Sequence, residues 1–154
     1  MSEPRPSQPG SVPGNYAGDL TAKETWELLA QEAQGQLIDV RTVAEWNFVG
    51  VPDMSALKRE TIYCEWQHFP PGPNPHFLAE VVAALEQTNY RKGAPLAFLC
   101  RSGARSRAAA IAMTAAGYGP CFNVKDGFEG SLDAQNHRGQ AAGWKAAGLP
   151  WLQS

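Results

Sequence analysis

The chain has 154 residues, with 13 basic against 15 acidic side chains and a formal net charge of −2; hydrophobic residues make up 44% and charged ones 18%. This is the length of one domain, which buries roughly two thirds of the surface its unfolded chain exposes. The charge balance excludes a general nucleic-acid binder, which needs a basic excess. No apolar run approaches the roughly 20 residues that span a bilayer, which argues against a membrane partner. Cys64, Cys100 and Cys121 are too few and too scattered for a disulfide framework, and with His68, His76 and His137 equally scattered no metal-ligand set stands out. No metal and no cofactor are expected. The N-terminus carries no apolar signal region, so the expected compartment is the cytoplasm.

Residues 1–15 hold Pro4, Pro6, Pro9 and Pro13 with Gly10 and Gly14, and read as a flexible tail. A single domain is expected over 16–154. Thr21 and Glu24 form a capping box, which predicts a helix over 21–34 with Trp26, Leu28, Leu29 and Ala33 on its apolar face and Gly35 as its stop. A short buried strand follows over 36–40. Thr42 and Glu45 make a second capping box that opens a helical turn through Trp46, and Gly50, Pro52 and Asp53 mark a loop. Alternation over 61–66 predicts a strand, and Pro70, Pro71 and Pro73 a rigid connection. Asn74 is the expected cap of a helix with Pro75 in its first position, running through Phe77, Val81, Val82 and Leu85. A third strand is predicted over 95–100, an alanine-rich helix over 107–116 that Gly117 and Gly119 end, and a fourth strand over 121–124. The glycine-rich C-terminal segment reads as looser.

Strands alternating with helices predict an α/β three-layer sandwich, with a central, mainly parallel sheet of about five strands and helices on both faces. In such sheets ligands bind outside the carboxyl ends of the strands. That rule points to the residues after Val40 and Leu99.

The second of these segments is Cys100-Arg101-Ser102-Gly103-Ala104-Arg105-Ser106. A thiol at a strand end, a few residues before a helix, faces backbone amides that carry partial positive charge. Ser102, Gly103 and Ala104 are small enough for a tight curve that turns amides inward, and Gly103 can take positive φ. Arg101 and Arg105 add full charges, as does Arg107. Such a field favours the thiolate, which is the reactive form, and attracts an anionic substrate. The plain alternative is a buried strand-end cysteine beside solvated arginines; the combination of strand, cysteine, small-residue turn, paired arginines and helix argues against it.

Cys100 to Ser106 resembles the active-site loop of the rhodanese-type sulfurtransferases. The likeness extends over about 16–152. Asp39-Val40-Arg41 with Glu45-Trp46 is similar to the family's Asp-x-Arg and Glu-Tyr/Trp element. Gly117-Tyr118, Asn123-Val124, Gly127-Phe128 and Gly130 resemble its last strand and following turn, and the stretches 143–145 and 148–150 its C-terminal end. Where many members carry Gly-His-Ile-Pro-Gly-Ala, this chain has Gly50-Val51-Pro52-Asp53-Met54, without the histidine. The resemblance implies a rhodanese-like fold and transfer of a sulfane sulfur from an anionic donor such as thiosulfate. Cys100 would carry the sulfur as a persulfide and pass it to cyanide or a thiol, including a protein thiol. Amides of the loop from Arg101 to Ser106 would stabilise the persulfide, while Arg101 and Arg105 would hold the donor's oxygens.

The remaining residues read more plainly. Asp39 and Arg41 either shape the pocket floor or are structural, Asp39 accepting backbone hydrogen bonds and Arg41 pairing with Glu45. Ser106 either donates its hydroxyl to the sulfur or caps the helix. Cys64 and Cys121 lie in apolar strands with no cation nearby and read as inert core; Trp46, Trp66, Trp144 and Trp151 read as core or pocket rim, and His68 as a loop residue. Two rival functions compete. A Cys-based phosphatase needs Cys-x5-Arg, whereas Cys100 and Arg105 stand at Cys-x4-Arg. A persulfide relay or docking module serving a protein partner would keep the cysteine and handle thiosulfate poorly.

Overall fold

The computed structural model describes residues 16–67, 73–130 and 143–153. The proline-rich tail, His68 and Pro70–Pro71 lie outside the described residues. Among those residues no helix is long and apolar enough to cross a membrane.

Five strands form one sheet: β1 (Gly18–Leu20), β2 (Gln36–Asp39), β4 (Ile62–Tyr63), β5 (Leu96–Leu99) and β6 (Cys121–Val124), in the order β1-β6-β5-β2-β4. All four pairings are parallel. β3 (Val51–Pro52) and β7 (Trp151–Leu152) form a separate antiparallel pair. The helices are α1 (Ala22–Gln31), α2 (Val43–Val49), α3 (Phe77–Leu85) and α4 (Ala104–Ala115). The expected α/β architecture, a mainly parallel five-stranded sheet flanked by helices, is therefore present.

The strand period of two sorts the core into two layers. On one face, Leu96, Phe98 and Cys100 of the β5 segment join Ile38, Val40, Ile62 and Cys121, and pack against Phe77, Val81 and Leu85 of α3 and Ala109, Ala110 and Met113 of α4. On the other, Ala97 and Leu99 join Leu37 and Val124 under Ala22 and Leu29 of α1, with Phe128 and Trp144. β2 and β5 are buried along their whole lengths, as expected for central strands covered on both sides. The alanines of α4 let its backbone approach the sheet.

Both capping boxes form. The Thr21 hydroxyl accepts from the Glu24 amide at 3.0 Å while the Glu24 carboxylate accepts from the Thr21 amide at 2.8 Å. Thr42 and Glu45 repeat the pattern. Several boundaries differ: α2 runs on to Val49 past Trp46, and β2 and β5 are shorter by one or two residues than expected. α1 ends at Gln31, three residues early. The strand expected over 61–66 is assigned only at Ile62–Tyr63, although its ladder continues through Cys64 N–H to Asp39 O and Trp66 N–H to Val40 O. α3 starts at Phe77, because Asn74 makes a turn instead of a cap: its side chain accepts from the His76 amide and its carbonyl from the Phe77 amide. α4 starts at Ala104, three residues before the expected start, since nothing after Gly103 breaks a helix. That change puts Cys100 four residues from a helix start. The strands at 18–20, 51–52 and 151–152 are too short to show a period. Trp151 lies on β7 and is exposed, not core.

Phe98 is fully buried in the central strand. Phe98→Ala is expected to lower stability by about 3–5 kcal/mol, read as a fall in the urea midpoint with an unchanged slope.

Candidate active site

Cys100 follows the last residue of β5 and points toward α4. The turn is sharp: Gly103 has φ +113°, and a Cβ there would sit 2.3 Å from the carbonyl oxygen of Lys125. Residues 127–130 hold it from beneath. The amide of Phe128 donates to Cys100 O at 2.8 Å, and those of Glu129 and Gly130 donate to Arg101 O at 3.0 and 3.1 Å. Gly127 allows the approach, since a Cβ there would lie 2.3 Å from Arg101 O.

The amide of Gly103 donates to Cys100 Sγ at 3.1 Å, and Ser106 Oγ lies 3.2 Å from the same sulfur. The helix start beneath aims further partial positive charge at it. Cys100 is only 1% exposed. The other two thiols have different surroundings. Burial and the neighbouring Glu80 carboxylate push Cys64 up to about 12, and burial pushes Cys121 up to about 11, so both stay protonated and unreactive.

Arg101 and Ser102 are exposed on the turn, Ala104 is exposed as the first residue of α4, and Gly103 and Ser106 are buried. Arg105 is committed elsewhere. Its guanidinium forms a two-point pair with Glu45 of α2, at 2.7 and 2.9 Å. Burial raises the Glu45 carboxyl, but the bonds and charge of Arg105 and the Thr42 contacts outweigh it and hold Glu45 below its ordinary value. The same pairing raises Arg105 against the opposing effect of burial.

Arg41 does not pair with Glu45, because Asp39 is nearer. Its Nε and Nη2 bind the Asp39 carboxylate at 2.9 and 2.7 Å, Nη2 also donates to Gly50 O at 2.8 Å, and both residues are fully buried. The guanidinium lies 4.3 Å from the ring centre of Phe128, whose amide holds Cys100. Arg41 thus braces the turn that supports the cysteine.

Ser106 joins a chain of polar groups that the sequence reading did not assemble. Its hydroxyl lies 2.5 Å from Asn123 Oδ1; Asn123 Nδ2 donates to Asp19 Oδ1 at 3.1 Å, and Tyr16 OH donates to the same oxygen at 3.0 Å. One signal was present. An asparagine inside the otherwise apolar strand Cys121–Val124 is unusual and needs partners.

The Glu45–Arg105 pair has a defined pH dependence. A carboxyl held low contributes stability that is complete above its unfolded value near 4.5 and is lost as pH falls through the lower folded value. Glu45→Gln is expected to cost about 1 kcal/mol at neutral pH, since the two side chains keep 20–22% exposure. The difference from the parent protein should shrink toward zero in urea titrations as pH is lowered below the carboxylate range.

The family described as the STR4 middle domain matches residues 17–154. The crystal structure of Rv0390 from M. tuberculosis is similar over 90% of this chain and 99% of that one, with a TM-score of 0.81 and 50% sequence identity. Uncharacterized proteins of Rickettsia conorii and Rickettsia montanensis are each 35% identical over 133 residues, covering 86% of this chain and 95% of theirs. The chain with Cys100 in this turn belongs to the STR4 middle-domain family.

Proposed function

We propose that the protein is a rhodanese-type sulfurtransferase that moves a sulfane sulfur from an anionic donor, with thiosulfate as the type substrate, to cyanide or a thiol. The observation that carries this reading is the sulfur of Cys100 at a strand end, 3.1 Å from the Gly103 amide and over the start of α4. In the first step an electron pair of the Cys100 thiolate forms a bond to the outer sulfur of thiosulfate. The donor's S–S bond breaks and sulfite leaves with its electrons, so Cys100 holds an anionic persulfide. In the second step the acceptor attacks the outer sulfur and Cys100 departs as thiolate. The Gly103 amide and the helix start offset negative charge on the bound sulfur. Among the cations of the loop, Arg101 is the one offered to the donor's oxygens, because Arg105 is engaged by Glu45. That engagement also weighs against a phosphatase, which needs its arginine on the phosphate. The cytoplasm is the proposed compartment: three free cysteines suit a reducing environment.

One observation favours a protein as the acceptor. An apolar groove of about 590 Å³, lined by Trp46, Val51, Tyr63 and Leu152, runs beside α2, and Phe48 on that helix is 78% exposed. A partner docked there would contact the helix whose Glu45 pairs with Arg105 of the loop.

After incubation with thiosulfate, mass spectrometry is expected to find one added sulfur atom on the peptide containing Cys100. Cys100→Ser should abolish both this gain and thiocyanate production while leaving the unfolding curve intact; turnover that survives in that variant ends the assignment. Arg101→Ala should lower kcat/KM for thiosulfate about tenfold or more, as expected for a charge-assisted contact of about 1.5–3 kcal/mol, with little change in stability.

A further inference from the structure

We infer that Asp19 and Asn123 form a positioning relay that holds the hydroxyl proton of Ser106 away from Cys100. The argument is one of donors and acceptors. A carboxylate only accepts. Asp19 Oδ1 lies 3.1 Å from Asn123 Nδ2 and takes the Tyr16 hydroxyl as well, so the amide group of Asn123 must face it with its NH₂. The carbonyl oxygen of Asn123 therefore faces Ser106, at 2.5 Å. That oxygen also only accepts, so the single hydroxyl proton of Ser106 lies on this line. The longer contacts of Ser106 Oγ, 3.2 Å to Gly103 O and 3.2 Å to Cys100 Sγ, are left without it. Ser106 turns a lone pair to the sulfur.

The strands make this arrangement rigid. Asp19 of β1 and Asn123 of β6 are register partners in a parallel pairing, and Asn123 is in turn paired with Phe98 of β5. Ser106 and Asn123 are 0% and 3% exposed, so water does not readily substitute for either. At the sheet edge, Asp19 thus acts on Cys100 through two intervening side chains and Tyr16 through three.

The consequence rests on the sulfurtransferase reading. Negative charge on Sγ faces an oxygen lone pair, which is unfavourable. In a persulfide the charge moves to the outer sulfur, and Sγ becomes a neutral divalent atom, to which the lone pair is no hindrance. The relay therefore favours the sulfur-loaded state over the bare thiolate. It retains sulfur on Cys100 until an acceptor arrives.

The test compares Asn123→Ala, Asp19→Asn and Ser106→Ala with the parent protein. Arg105 on α4, whose charge acts on Cys100, and the two carboxylates beside Arg105, Glu45 on α2 and Asp39 on β2, are unchanged in all of them, whereas Asp19→Asn also removes a carboxylate charge. Iodoacetamide alkylation of Cys100 is followed against pH without any sulfur donor. Asn123→Ala frees the hydroxyl proton to turn to the sulfur, so alkylation near pH 7 should rise about two- to tenfold and its profile should move to lower pH, the range a neutral hydrogen bond supplies. Asp19→Asn loosens the orientation of Asn123 and should move the profile the same way by less, and this shift should vanish in the Ser106→Ala background, which separates it from the loss of the carboxylate charge; it serves as the test if Asn123→Ala fails to fold. Combining Asn123→Ala with Ser106→Ala should add nothing to Ser106→Ala alone, because the relay acts through Ser106. A profile that stays in place in both Asn123→Ala and Asp19→Asn, or a full effect of Asn123→Ala without Ser106, overturns the relay. If the parent protein gains no sulfur from thiosulfate while the variants show these shifts, the relay stands and the sulfurtransferase reading is lost.

Discussion

The 2.8 Å hydrogen bond from the Phe128 amide to the Cys100 carbonyl holds the turn on which the site is built. A backbone leaving a buried strand must satisfy its carbonyls within a few residues, and here the turn after the neighbouring strand supplies the donors. Residues 128–130 cap Cys100 and Arg101 from below, and Gly127 and Gly103 give the space that lets the two segments meet. Once both carbonyls are fixed, the chain has to curl upward. The Gly103 amide then meets the sulfur, and a helix can start at once. Arg41 serves the same support from the side, gripping Asp39 and Gly50 and stacking on Phe128. Those contacts offset the burial of its charge through Nε and Nη2, while Nη1 is buried without a hydrogen-bond partner.

Features written within a few residues of sequence were legible. The Thr-x-x-Glu pairs at Thr21 and Thr42 started helices where a capping box should. The central strand β5 is legible from its continuous apolar run, β2 from Leu37-Ile38 before Asp39, and the Cys100 loop from its own composition. Features that depend on residues far apart were not legible. Nothing near Arg105 says that Glu45, sixty positions earlier, will take its guanidinium. Glu45 itself had already been assigned a local task as a capping residue, and it performs both. Pairing with Glu45 is one of the two readings the sequence offers for Arg41, and the strand end instead places it against Asp39 and Gly50.

The paired strands at 51–52 and 151–152 show the same limit. Two residues carry no periodicity, and only the fold brings Pro52 opposite Trp151. This pairing, with the bond from Asp53 N–H to Pro150 O, ties the described C-terminal segment 150–152 to the rest of the structure where glycine content suggests looseness. Trp144 anchors it, fully buried, with its indole N–H on Pro150 O at 2.8 Å.

β1 and β6 sit side by side at one edge of the sheet, yet Asp19 and Asn123 are separated by 104 positions. During translation, Asp19 is made 104 positions before Asn123, so β1 waits for its partner strand while everything between them is added. Ser106 waits only 17 positions for the acceptor that directs its hydroxyl. Of the groups that hold Cys100 and Ser106, Asn123 and residues 128–130 are all made after Cys100 itself. The order of synthesis thus delays assembly of the sulfur's surroundings until the sheet edge closes.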